Sequence, residues 1–216
     1  MANQPLSFDI KNTSSKETIR RNIRHALSSK SPNTFPNIDI NSELFEPIPD
    51  LLKEFVVNFR AMGGKYIPCT KENFVERLLK LIASQQYQSL LNTSTSLTNF
   101  LVENEISFYN VIDANSPVDA ALVYADILIA RSGSFVCSQK SSLYPSVKNL
   151  AQDLIIVSFL PNIVSDIKNA IALQQKRNQN AVHEMTEIVT PAIPPIIDGK
   201  ENYSPLNPRY ILLLIA

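Results

Sequence analysis

The chain has 216 residues, twenty basic and twenty acidic, and 44% of them are hydrophobic, which suits a single domain with a substantial core. The balanced charge leaves no electrostatic footprint of the kind nucleic-acid-binding chains carry, and no segment reaches the ~18 apolar residues of a membrane span. The polar N-terminus has no signal-peptide core, and Cys69 and Cys137 lack metal-ligand spacing, so both read as buried free thiols of a cytoplasmic protein.

Residues 1–14 read as a loose N-terminus. A helix follows over 15–29, with Ile19, Ile23, Ala26 and Leu27 on one face and Ser14-x-x-Glu17 as a capping box. Its basic run, Arg20-Arg21-Asn22-Ile23-Arg24-His25, reads as a solvated face. A loop carrying Pro32, Pro36 and Pro47 completes a segment, 15–48, expected to pack on a main domain spanning 49–216.

In that domain Leu51, Leu52, Phe55, Val56, Phe59 and Met62 mark a helix that stops at Gly63-Gly64. Residues 65–69 read as a strand, and Thr70 as the cap of a helix bearing Phe74, Val75, Leu78, Leu79 and Ile82. A strand over 89–92, a helix over 97–102 and a strand over 106–112 follow. Pro117 is expected to open an Ala-rich helix through Tyr124. The apolar run 127–130 then meets Ser132-Gly133-Ser134 and leaves through Phe135-Val136-Cys137. Beyond it come an uninterrupted apolar strand (154–159), a helix (163–175), a polar stretch (174–187) and a last strand (210–215). Strands alternating with helices imply an α/β fold, helices covering both faces of a largely parallel sheet.

The Ser132-Gly133-Ser134 turn has two readings. One is a hairpin between core strands. The other is an anion site, because glycine permits φ > 0 and close ligand approach, while two hydroxyls and successive N–H groups can cradle negative charge. Arg131, Lys140 and Arg209 are candidate anion ligands, and Asp126 is placed to orient the turn. His25 and His183, the two histidines, read as helix surface and loop. No dinucleotide or Walker loop is present, and no metal pair or Ser-His-Asp order can be built.

Several segments resemble the LUD (lactate utilisation) domain family, its lactate utilisation protein C branch in particular. They are Ile19 to Leu27, Phe55 to Tyr66 with Gly63-Gly64-Lys65, Ile163-Val164-Ser165-Asp166-Ile167, and Pro208-Arg209-Tyr210. The central one is Ala125-Asp126-x-x-Ile129-Ala130-Arg131-Ser132-Gly133-Ser134, similar to the family's Ala-Asp, two residues, Ile-Ala-Glu-Thr-Gly-Ser/Thr. The resemblance implies a three-layer α/β/α sandwich like the glucosamine-phosphate isomerase, ribose-phosphate isomerase and coenzyme A transferase fold. It also implies a bacterial cytoplasmic setting beside iron–sulfur proteins that oxidise lactate. Two separated cysteines cannot hold such a cluster here, and no cofactor is expected.

The departures from the family pattern are chemical. Arg131 stands where the family has glutamate. Thr190-Pro191-Ala192-Ile193-Pro194-Pro195-Ile196-Ile197-Asp198 lies where the family has Gly-Pro-Ser-Arg-Thr-Ala-Asp-Ile-Glu. Polar side chains have become Ala192, Ile193, Pro194 and Ile196, leaving Asp198 and Arg209 as the matching charged residues. Two functional readings stay open. The first is a protein of organic-acid utilisation that binds a small carboxylate or phosphorylated ligand beside Asp126, Arg131, Ser132, Gly133 and Ser134, with Asp198 and Arg209 as further candidates. The second is a non-catalytic interaction subunit using the apolar 192–197 segment for a partner or a second copy. A sugar-phosphate isomerase or coenzyme A transferase activity rests on fold analogy alone. Whether any reaction is catalysed stays open.

Overall fold

A computed structural model describes residues 17–24, 46–110, 118–139, 146–177 and 185–216. Ser14, His25, Lys140, His183 and most of the Pro-containing loop lie outside the described residues. The chain divides into two compact units, Met1–Glu46 and Pro47–Ala216. In the first, residues 17–24 form helix α1, with Ile19 and Ile23 exposed.

The second unit begins with α2 (Leu51–Ala61), capped by Asp50, whose side chain accepts the Lys53 N–H at 2.9 Å. Phe55 and Phe59 lie one turn apart, fully buried and stacked at 5.4 Å. The helix ends where the sequence places its stop. The Gly63 and Gly64 N–H groups donate back to the carbonyls of Arg60 and Phe59, and Gly63 adopts φ +85°. That is the double hydrogen bond of a Schellman motif.

Next come β1 (Lys65–Cys69), α3 (Phe74–Gln85), β2 (Leu90–Asn92), α4 (Thr95–Glu103) and β3 (Ala120–Tyr124). The α3 cap is Asn73 rather than Thr70. The two residues exchange hydrogen bonds, Thr70 N–H to Asn73 Oδ1 at 2.8 Å and Asn73 N–H to Thr70 Oγ1 at 3.4 Å. Residues 118–124 were expected to be helical, and the structure corrects this. Ala120, Ala121, Leu122 and Val123 are all buried in β3, a strand sandwiched on both faces. A short apolar run has no period that separates helix from strand, and burial decided for strand. Of the expected 106–112 strand, the described residues 106–110 form one bridge, Leu91 opposite Tyr109, and 111–112 lie outside the described residues.

Then follow β4 (Ile127–Ile129), β5 (Ser134–Gln139), β6 (Asp153–Phe159), β7 (Ile163–Val164), α5 (Ile167–Arg177), β8 (Met185–Val189), β9 (Ile196–Ile197), β10 (Lys200–Glu201) and β11 (Arg209–Ile215). Ile163 and Val164 pair with β4 instead of opening α5, and β8 emerges from the stretch read as polar loop.

The main sheet is parallel throughout, in the order β1-β11-β6-β3-β2. Alternate residues of its central strands feed opposite faces, as strand geometry requires. Leu154 and Ile156 pack with Phe55 and Phe59, while Ile155 and Val157 pack with Leu78 and Leu101 of α3 and α4. Helices therefore cover both faces, as expected.

The sequence did not reveal a second, mixed sheet, β7-β4-β5-β8. It joins α2 on one face of the parallel sheet, and α5 covers its far side through Ala170 against Ile127, Ile129 and Val136. The run 127–130 and the strand at Phe135 belong to this sheet, not to the parallel one.

Candidate ligand-binding site

The Ser132-Gly133-Ser134 segment closes the antiparallel β4–β5 hairpin, with Ile129 opposite Ser134. Gly133 sits at φ +61°, and a Cβ there would lie 2.4 Å from the Phe59 backbone nitrogen. Helix α2 thus rests directly on the glycine. Asn58 of α2 donates its Nδ2 to the carbonyls of Ala130 at 2.9 Å and Arg131 at 3.1 Å, satisfying the turn's backbone. Ser134 is buried and shares a 2.8 Å hydrogen bond with Thr190, whereas Ser132 is exposed.

Arg131 donates its N–H to Ser165 O at 3.1 Å and sets its charge against Asp166, at the start of α5. Burial opposes ionisation of Asp166. The N–H groups of Asn169 and Lys168, the Ser165 hydroxyl and the Arg131 charge outweigh it and hold the carboxyl below its ordinary range. Packing and internal hydrogen bonds therefore explain the glycine and Ser134, while the Arg131 charge acts on Asp166.

Asp126 and Arg209 have local partners of their own, and Asp198 lies at a hairpin tip. Asp126 accepts the Ser138 N–H at 2.8 Å, and its carbonyl accepts Arg177 Nη1 at 2.7 Å, so it ties β5 to the end of α5. Asp198 and Gly199, at φ +52° and +72°, form the exposed tip of the β9–β10 hairpin, where primed turns require successive positive φ values. Arg209 opens β11 beside Asp153, which opens β6. Its Nε donates to Asp153 Oδ1 at 2.9 Å and its Nη2 to Gln85 Oε1 at 2.6 Å, with Tyr87 also bonded to Asp153. The structure keeps 131–134 together and engages Asp126, Asp198 and Arg209 in three separate arrangements.

A different location offers room. A cavity of about 510 Å³ opens at the carboxyl ends of β3, β6 and β11, beneath the starts of α3 and α4. Its walls are aromatic. Phe74 and Phe100 meet at 5.0 Å on the helical side, and Tyr124 and Phe159 meet edge-on at 6.3 Å on the sheet side. Val157, Leu97 and Ile215 complete an apolar lining, and Lys71, Ser96 and Tyr124 bring polar groups. Open parallel sheets bind ligands beyond the carboxyl ends of their strands, which is where this cavity lies.

The polar groups have a defined sense. Arg177 Nη2 donates to Asn162 Oδ1 at 3.2 Å. Arginine has only donors, so the Asn162 oxygen must face it and the Asn162 amide nitrogen must face Tyr124, at 3.3 Å. That nitrogen has no lone pair to offer, so the Tyr124 oxygen is the acceptor. The phenolic proton is then directed to some other acceptor.

No family model and no curated protein matches the sequence. Among solved structures, the chain is similar to a DUF162 family protein from Deinococcus radiodurans, with a TM-score of 0.55 and 12% identity over 77% of this chain and 96% of that one. At this identity the likeness is one of fold alone. A ribose 5-phosphate isomerase from Plasmodium falciparum aligns with a TM-score of 0.28 and 11% identity, over 61% of this chain and 66% of that one, too distant to carry an argument. Among the described residues, no helix is long and apolar enough to cross a membrane.

Proposed function

We propose that this protein is a LUD-like binder of organic acids and that its ligand occupies the cavity at the carboxyl edge of the parallel sheet. The cavity itself carries the reading. Its volume of about 510 Å³ lies within the roughly 300–1,000 Å³ of small-molecule sites. Lys71, Tyr124 and Ser96 are the lining residues able to donate to an acid group, set among apolar walls, a composition that suits an acid. The β4–β5 turn serves as the support for α2. A role in lactate-type acid utilisation beside iron–sulfur proteins, in a bacterial cytoplasm, is proposed on the resemblance at residues 125–134.

Thermal unfolding of the purified chain against lactate, other hydroxy acids, sugar phosphates and coenzyme A tests the reading. A ligand at 100 times its dissociation constant stabilises the native state by about 2.7 kcal/mol, a rise of roughly 5–10 °C for a chain of this size. Ser96→Trp, at an exposed position on the cavity wall, is expected to abolish the rise and keep the unliganded melting temperature. A rise unaffected by Ser96→Trp would move the site elsewhere.

A second reading has its own observation. Ile193, Ile196 and Leu206 are 67%, 71% and 78% exposed in and around the β9–β10 hairpin, which suits an interaction subunit. A chain that stays monomeric at all concentrations and captures no iron–sulfur partner would remove it.

A further inference from the structure

We infer that the acid bound at the carboxyl edge carries an aromatic body, its ring held between the two aromatic pairs and its carboxylate taken by Lys71 and the Tyr124 hydroxyl. The inference rests on the cavity reading above and adds the class of ligand.

Three observations carry it. The first is size and lining. A three-carbon hydroxy acid brings a single methyl group of apolar surface, too little to cover Leu97, Val157 and Ile215 together. A ligand that fills the space must bring apolar area of its own. The second is the character of the walls. Phe74 and Phe100 are tilted by 42°, and Tyr124 and Phe159 by 60°. Four rings in such offset arrangements present both faces and edges, and a further ring gains from stacking or edge contacts beyond its buried area.

The third is the polarity of the head-group contacts. Both groups donate. Lys71 has only N–H donors, and the Arg177–Asn162–Tyr124 chain turns the phenol into an acceptor toward Asn162, so its proton is available to a ligand oxygen. A carboxylate accepts from both. A neutral amide or alcohol offers its oxygen less strongly and brings N–H or O–H groups that find fewer acceptors. Tyr124 therefore serves both as a wall and as a donor, which sets the distance between ring and acid.

The probes are phenyllactate, lactate, phenyllactamide and octanoate, titrated by calorimetry into the wild-type chain and into Lys71→Met, Tyr124→Phe and Ser96→Trp. Phenyllactate is expected to bind at least tenfold more tightly than lactate or octanoate. Phenyllactamide and the Tyr124→Phe variant are each expected to lose about tenfold, the weight of one hydrogen bond. Lys71→Met is expected to lose several-fold at low salt, and less as salt rises. Lactate binding as tightly as phenyllactate, with Ser96→Trp abolishing both, would overturn the aromatic class and leave the cavity reading intact. Octanoate binding more tightly would do the same. Wild-type affinity in both Lys71→Met and Tyr124→Phe would overturn the head-group assignment. Binding by no member of this set or of the wider acid panel would overturn the inference and the cavity reading together.

Discussion

Replacing Gly133 with alanine separates a ligand turn from a structural one. The backbone there sits at φ +61°, and the added Cβ would fall 2.4 Å from Phe59 N, 2.6 Å from the Asn58 carbonyl carbon and 2.7 Å from Phe59 Cα. None of these atoms is the end of a flexible side chain. Holding a non-glycine residue in the left-handed region costs about 1–2 kcal/mol, and forcing α2 away from the hairpin costs a further ~1–3 kcal/mol as overpacking. The sum is about 2–5 kcal/mol, a fall of roughly 5–20 °C in melting temperature for a chain of this length. Urea unfolding measures it directly, with a lower midpoint and an unchanged slope. Ser132→Ala, at the exposed neighbouring position, is expected to stay within about 0.5 kcal/mol of wild type. A Gly133→Ala chain as stable as wild type that loses acid binding would refute the reasoning and return the turn to the ligand.

Asp153→Asn is expected to cost about 3 kcal/mol in urea, because Arg209 and Tyr87 lose a nearly buried carboxylate between them; a loss under about 1 kcal/mol would show the pair to be incidental. Alkali is expected to unfold the chain. Burial, and then the Glu187 charge, push Tyr210 up to about 12 from an ordinary 10.0, so the folded state holds the proton more tightly. The resulting stability is complete below about pH 10 and falls as pH rises toward 12. Burial also raises the thiol of Cys137, starting the loss near its ordinary value of 9.0. Tyr210→Phe is expected to flatten the decline, and stability unchanged from pH 9 to 11 would contradict it. Cys69 and Cys137 are free and buried, and a thiol reagent at neutral pH is expected to label them only on unfolding. Prompt labelling of the native chain would show that one of the two is accessible.

The sequence was most readable where one pattern had one meaning. The α2 stripe ending at Gly63-Gly64 and the apolar runs of β6 and β11 lie where their spacing placed them. Ala120–Tyr124 was misread because Ala favours helices in isolation and Pro117 mimics a helix start, whereas both of its faces are buried in the sheet. The second sheet was hidden for a related reason. Ile127–Ile129 and Ile163–Val164 are too short for a period, and only their pairing identifies them. Gly133 was singled out as a residue that permits φ > 0, and it adopts φ +61°. What forces it is helix α2, contributed from more than seventy residues earlier in the chain. The cavity left no motif at all. Lys71, Phe100, Tyr124, Phe159 and Ile215 come from five places in the sequence, and only the parallel order of the strands brings their ends together.

Methyl-resolved NMR of the wild-type chain, titrated with phenyllactate, tests the location of the ligand most directly. Leu97, Val157 and Ile215 line the cavity, while Ile129 and Val136 belong to the β4–β5 hairpin. Saturable shifts at the first three, with the hairpin methyls unmoved, are the expected result. Shifts at Ile129 and Val136 with a silent cavity would contradict the proposal and place ligand binding at the turn.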